Sequence, residues 1–230
     1  MIGGLGPEST IEYYRLIIAA YRARIRDGSY PPLVMTSLDL RRMMDLITAN
    51  DLARVTQFLV DELHRLERAG AEIAFISANT PHLVFDDVRV QSPLPLVSIV
   101  EATRDAASDL GLTRVGLIGT RFTMDAAFYP EVFARNGISV VVPPADDRAY
   151  VHKKYIGELV HGDIRSDTQR ELIAIIARLR EREGIEGIVL GGTELSLILR
   201  DASYAEIPVL DTTRIHAERV VAEAMAPRLS

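Results

Sequence analysis

Apolar residues follow two alternating rhythms along the chain. Short, nearly continuous apolar runs occupy 33–37 (LVMTS), 72–77 (EIAFIS), 96–99 (LVSI), 114–118 (RVGLI), 138–142 (ISVVV), 186–190 (EGIVL) and 208–210 (PVL). Runs of this length, rich in Val, Ile and Leu, suit strands covered on both faces. Longer stretches carry apolar residues at helical spacing: 8–25, 51–69, 100–110, 123–136, 149–160, 166–183 and 212–226. In 52–69, for example, Leu52, Val55, Phe58, Leu59, Leu63 and Leu66 line one face. Strand–helix alternation predicts an α/β fold with a mostly parallel sheet, and such sheets bind polar ligands at the C-terminal ends of their strands.

The pattern also repeats. RLERAGAEIAFISANTPHLVF (65–85) matches RLREREGIEGIVLGGTELSLIL (178–199): a charged helix end, a glycine, an apolar strand, a small polar turn and an apolar continuation. An offset of 114 positions pairs Ile76 with Leu190, Ala78 with Gly192, Asn79 with Thr193 and Leu83 with Leu197. The match extends from PLVSIVEA (95–102) to PVLDTTRI (208–215), with a weaker echo between 3–14 and 118–129. The period is too long for a solenoid. It predicts two similar α/β halves, 1–100 plus 211–230 and 101–210, whose equivalent turns face one another across a cleft.

Composition narrows the function classes. The chain has 230 residues, 48% hydrophobic and 25% charged, with a formal net charge of −6. That is ordinary globular composition with material for a core. An acidic chain is a poor partner for nucleic acid. No apolar run approaches the roughly 20 residues that span a bilayer. The start, MIGGLGPEST, lacks the basic and apolar regions of a signal peptide, so a cytoplasmic location is expected. There is no cysteine, which excludes disulfides, thiolate metal sites and thiol nucleophiles. His64, His152, His161 and His216 show no metal-ligand spacing.

Candidate chemistry lies in the turns. Gly3-Gly4-Leu5-Gly6-Pro7-Glu8-Ser9-Thr10 precedes a helix, so its backbone N–H groups can meet a small carboxylate or phosphate, or Ser9 and Thr10 can simply cap the helix. It is neither a P-loop nor a dinucleotide fingerprint. Ser77-Ala78-Asn79-Thr80-Pro81-His82 ends a strand; Asn79 and Thr80 offer donors, and His82 is either an acid–base group or a loop brace. Gly191-Gly192-Thr193-Glu194 ends the paired strand, with Glu194 a base or an orienting carboxylate. Gly119-Thr120-Arg121-Phe122-Thr123 adds hydroxyl donors. Arg41 and Arg42 could clamp a carboxylate or face solvent, and Lys153-Lys154 reads as a solvated helix face.

GGLGPEST, ANTPH, the GT-x-FTM run and GGTELSLIL, in this order over residues 2–226, resemble the aspartate/glutamate racemase family. Its members are amino-acid racemases that use no pyridoxal phosphate or other cofactor, with hydantoin racemases and arylmalonate decarboxylases as relatives. The resemblance implies two α/β halves with parallel sheets related by a pseudo-twofold axis, the active site in the cleft between them, and a homodimer. It implies two proton carriers on opposite faces of the substrate α-carbon, both cysteines, at the positions held here by Ala78 and Gly192. Neither residue can carry a proton. Any carrier must then be another group, with His82, Glu194, Thr193 and Ser77 as candidates. The binding shell implied is Gly4, Gly6, Pro7, Glu8 and Ser9 with Asn79, Thr80, Thr120, Thr123, Thr193 and Glu194; Ser37 or Asp39 would lie beside them, and Arg42 could reach the ligand. Family chains carry a few more residues as strand one ahead of the glycine loop, where only Met1 and Ile2 stand here, so a trimmed start is expected. Three functions remain open: an amino-acid racemase with non-cysteine acid–base groups, a lyase or isomerase of a small carboxylate, and an inactive small-carboxylate-binding protein.

Overall fold

A computed structural model describes residues 1–226. The first unit, Met1–Ile99 with Thr213 onward, and the second, Val100–Thr212, are each compact.

In the first unit β1 (Ile2–Gly3) leads through a glycine turn into α1 (Pro7–Arg24). Pro7 stands at the helix start, where its missing N–H costs nothing. Strand β2 (Thr36–Ser37) pairs in parallel with β1. Helices α2 (Leu40–Thr48) and α3 (Leu52–Arg68) follow, capped by the Asp39 and Asp51 carboxylates, which accept from the Arg41 and Arg54 backbone N–H groups. α3 buries Val55, Leu59, Leu63 and Leu66, the stripe its periodicity predicts. Strand β3 (Ala74–Phe75) pairs in parallel with β4 (Leu96–Val97), and a bridge from Ile76 to Ile2 joins β3 to β1. Between β3 and β4 lie a 3-10 turn, Thr80–Val84, and α4 (Phe85–Gln91). The strand order is therefore β2-β1-β3-β4.

The second unit opens with α5 (Ile99–Asp109) and β5 (Arg114–Gly119). The helix expected over 123–136 is instead two short helices, α6 (Arg121–Met124) and α7 (Phe128–Ala134). Thr120 caps the first, and Pro130, which cannot donate to a helical ladder, fits only the first turn of the second. Strand β6 (Ser139–Val141), α8 (Ala145–Gly157), a 3-10 turn at Leu159–His161, α9 (Ser166–Glu183), β7 (Gly187–Gly191) and α10 (Leu195–Ile198) come next. Strands β8 (Ser203–Tyr204) and β9 (Ile207–Asp211) complete a five-stranded sheet of order β6-β5-β7-β9-β8. Only β8 runs antiparallel, and the sequence pattern did not signal it. α11 (Thr212–Met225) then packs Ala217, Val220 and Val221 with Tyr13, Ile17 and Phe75 of the first unit.

The two sheets share one winding. β1, β2, β3 and β4 correspond to β5, β6, β7 and β9, which is the repeat seen in sequence. The strands of the first unit pair over only two residues each, against up to five in the second, where β5 matches β7 from Val115–Gly187 to Gly119–Gly191. The apolar run at 33–37 thus yields a two-residue strand: Val34 and Met35 are exposed, and the parallel register with β1 takes in Thr36 and Ser37. Among the described residues, no helix is long and apolar enough to cross a membrane.

Candidate active site

Parallel α/β sheets bind ligands outside the C-terminal strand ends where the winding reverses. In the first unit that point lies between β1 and β3, so it is flanked by the Gly4–Gly6 turn and by Ser77–Thr80. In the second it lies between β5 and β7, flanked by Thr120 and by Gly192–Glu194. Topology thus selects the same turns that the sequence motifs occupy.

The turn after β1 is folded on itself. Gly4 sits at φ +79°, and a Cβ there would lie 2.4 Å from the Leu38 carbonyl oxygen and 2.7 Å from Ser37 Oγ. Only glycine fits. Thr10 Oγ1 accepts from Gly4 N–H at 2.9 Å and donates to the Gly6 carbonyl at 2.8 Å, while Ser9 Oγ donates to the same carbonyl at 3.0 Å. Ser9 and Thr10 are buried and shape the turn; Pro7, Glu8 and Ser37 are exposed. Asp39 caps α2, Arg41 is exposed, and the Arg42 guanidinium lies 4.5 Å over the Phe58 ring.

The turn after β3 is braced from within. Ser77 Oγ donates to the Ile2 carbonyl at 3.0 Å, fastening β3 to β1. His82 is buried and stacked on Phe85, ring centroids 4.5 Å apart. Its Nε2 accepts from the Ile99 backbone N–H at 3.3 Å, which leaves the proton on Nδ1 to donate to the Ala78 carbonyl at 3.1 Å. Both ring nitrogens are therefore committed to backbone. Burial, reinforced by the nearby His216, lowers the His82 pKa to about 3, so the ring is neutral at ordinary pH. His216 has the same character. Its Nε2–H donates to the Val97 carbonyl at 3.1 Å, its Nδ1 accepts from the Tyr13 hydroxyl at 2.8 Å, and burial lowers its pKa to about 4. Ala78 and Asn79 are buried, and Thr80 is half-buried.

The corresponding turns of the second unit hold a different set. Strands β5 and β7 end on paired glycines so close that a Cβ on Gly119 would lie 2.5 Å from the Gly191 carbonyl oxygen. Thr120 and Thr123 are buried, with their hydroxyls 3.1 Å apart, and Thr120 Oγ1 accepts from Thr123 N–H. Arg121 is exposed; its backbone N–H donates to His152 Nδ1. After β7, Thr193 Oγ1 donates to Glu194 Oε2 at 3.0 Å. The Tyr155 hydroxyl, arriving from α8, donates to that same oxygen. Glu194 and Thr193 are 1% and 2% exposed, and Tyr155 is 6% exposed. Burial, with the Glu194 carboxylate second, pushes the Tyr155 phenol far above its ordinary range. A Cβ built on Gly192 would lie 2.3 Å from Tyr155 Cε2 and 2.9 Å from its hydroxyl oxygen. The tyrosine ring occupies the space that any side chain at 192 would need.

Sequence reasoning did not single out Tyr155. Its buried register was visible, since Val151, Tyr155 and Leu159 recur every four residues, but its meeting with Glu194 was not. A glycine where the resemblance implies a side chain was the available signal, because close packing requires something else to fill that volume.

The family model for Asp/Glu/hydantoin racemase matches residues 2–220. This chain belongs to the Asp/Glu/hydantoin racemase family. A broad-specificity amino-acid racemase from Bacillus subtilis is 23% identical over 98% of this chain and 97% of its own length. Among solved structures, a protein from Yersinia pestis proposed to be an Asp/Glu racemase has a TM-score of 0.88 at 34% identity, covering 98% of this chain and 97% of that one. An aspartate racemase homologue from Pyrococcus horikoshii has a TM-score of 0.81 at 35% identity, covering 97% and 96%. As a racemase-family chain without a single cysteine, it can carry no thiol at any position, Ala78 and Gly192 included.

Proposed function

We propose that this protein interconverts the enantiomers of a small amino acid of the aspartate or glutamate type, by α-proton transfer without pyridoxal phosphate and without thiols. The observation that carries this reading is the preserved pair of turns at the winding reversals, in a chain matching the racemase family over 2–220. Each keeps small residues at the strand end and donors beside them: Gly4 with Asn79 and Thr80, and Thr120 with Gly192 and Thr193. Removing an α-proton places charge on the substrate carboxylate, and fixed N–H and hydroxyl donors stabilise that charge as it develops. The relatives named as amino-acid and aspartate racemases support the substrate class. A cytoplasmic homodimer, which the family resemblance implies, belongs to the same reading.

A second reading has its own observation. Ala78 offers no proton, and both nitrogens of His82 are engaged, so the first unit's turn shows no replacement for a thiol at 78. A lyase or isomerase of a small carboxylate needs one proton carrier rather than two.

Proton NMR in D₂O over a panel of L- and D-amino acids tests both. Loss of the α-proton signal with loss of chirality supports the racemase. Exchange with retained configuration favours the one-carrier reading. Absence of exchange with every amino acid overturns the racemase proposal.

A further inference from the structure

The most unusual polar contact among the described residues is the buried meeting of Tyr155 and Glu194. A ring that merely filled the space above Gly192 could be phenylalanine, leucine or methionine. Instead the chain buries a hydroxyl and a carboxylate there, each of which costs free energy to remove from water unless paired. It does so at the C-terminal end of the central strand β7, where the winding reverses. Glu194 and Tyr155 come from positions 39 apart, so the pairing is not a local turn requirement. Buried titratable pairs at such places are candidates for function with a physical basis.

We propose, resting on the α-proton-transfer reading above, that Tyr155 and Glu194 act as one proton-carrying unit. The substrate Cα–H bond breaks as its proton bonds to the Tyr155 hydroxyl oxygen. The phenol's own proton passes at the same time to Glu194 Oε2. The electron pair left by the C–H bond stays on the substrate, delocalised into its carboxylate. The Tyr155–Glu194 unit goes from one negative charge to none, and the substrate gains that charge. The reverse step returns a proton to carbon and restores the Glu194 carboxylate.

Charge decides which step is favoured. A phenol that released its proton to substrate while Glu194 stayed ionised would leave two negative charges on adjacent buried oxygens. Passing the proton through the phenol to the carboxylate avoids that state. The surroundings suit the transfer. Thr193 Oγ1 donates to Glu194 Oε2 and holds the oxygen in place. The Glu194 backbone N–H approaches the Tyr155 oxygen at 3.5 Å, on the side where charge would gather during transfer. Gly192 leaves the hydroxyl edge of the ring unscreened by any side chain at that position. The high proton affinity that burial gives the phenol is in keeping with an oxygen that is never free as phenolate but always shares a proton.

The test compares wild type, Tyr155→Phe and Glu194→Gln by α-proton exchange in D₂O over the same panel of L- and D-amino acids, aspartate and glutamate included, with a thermal melt of each. Tyr155→Phe keeps the ring and removes only the oxygen. Exchange should fall about 10²–10⁴-fold in both variants, while both melt within about 10 °C of wild type. Wild-type exchange matched within twofold by folded Tyr155→Phe overturns the relay and leaves the proposed function standing. A wild type that exchanges no amino acid overturns the function and the relay with it. Should the variants fail to fold, 3-fluorotyrosine incorporated into the unmutated sequence acidifies the phenol and must change the exchange rate. An unchanged rate then overturns the relay.

Discussion

The turns after β3 and after β7 stand at equivalent points of the same repeat, yet they use their buried polar groups in opposite ways. After β3, His82 spends both nitrogens on backbone, on the Ala78 carbonyl and the Ile99 N–H. The imidazole is a strut. After β7, Tyr155 and Glu194 bond to one another, with a hydroxyl from Thr193 alongside. A side chain whose lone pairs and protons are all committed to backbone can position a loop but cannot exchange protons without releasing it. A phenol bonded to a carboxylate can shift a proton between the two oxygens. The residue types alone suggest the reverse, since histidine is the usual proton carrier near neutral pH.

The comparison can be broken by mutation. His82→Ala should cost about 1–3 kcal/mol for each backbone group left unpaired, read as a lower urea midpoint. Unaltered stability would show that the histidine is not a strut. Gly4→Ala should cost about 1–3 kcal/mol from backbone strain alone, with the contact at Leu38 in addition. Wild-type melting of that variant would remove the argument for a glycine-only turn.

Installing thiols separates the two turns more finely. Gly192→Cys must displace the Tyr155 ring and should destabilise by about 1–3 kcal/mol, as overpacking does. Ala78→Cys adds one sulfur to a Cβ already accommodated and should cost less. Pairing Gly192→Cys with Tyr155→Ala should recover part of the loss, a coupling of about 0.5–3 kcal/mol for residues in contact. Additive single-variant costs in denaturant melts would mean that ring and glycine are independent.

Acid should reveal the same asymmetry at smaller scale. His82 and His216 both belong to the first unit, and folding lowers their pKa values from 6.5 to about 3 and about 4. As pH falls the unfolded chain therefore takes up protons first, so stability is held above about pH 6.5 and lost progressively toward pH 4 for His216 and pH 3 for His82. Amide protection, measured against the intrinsic exchange rate at each pH, should fall from pH 7.5 to pH 5 more in the first unit than in the second. An equal loss of protection would assign acid sensitivity elsewhere.

Much of this molecule was legible in its sequence because the relevant signals were local. The long helices α1, α3 and α9 follow from periodicity, and the strand centres at Val115–Ile118 and Ile188–Leu190 follow from continuous apolar runs. The repeat pointed to the shared winding. What escaped depends on partners distant in sequence. Val34 and Met35 look like strand residues, but the ladder with β1 registers only Thr36 and Ser37, and the Val34 and Met35 side chains are exposed. Helix α4 is too short to establish a period, and β8 exists only because β9 lies beside it. Among the candidate site residues, the glycine and threonine turns were visible as motifs. The engagement of His82 with Ile99 and of Tyr155 with Glu194 was not, since no spacing rule connects them.

The occupation of the space above Gly192 by a phenol bears on the environments this protein can tolerate. A catalytic sulfur is lost to peroxide by stepwise oxidation and to alkylating reagents by capture. A tyrosine–glutamate pair has no sulfur to enter that ladder. On the relay proposed above, iodoacetamide at concentrations that silence a thiol racemase should leave proton exchange by this protein in place, and any loss under peroxide should trace to its six methionines rather than to the proton carrier.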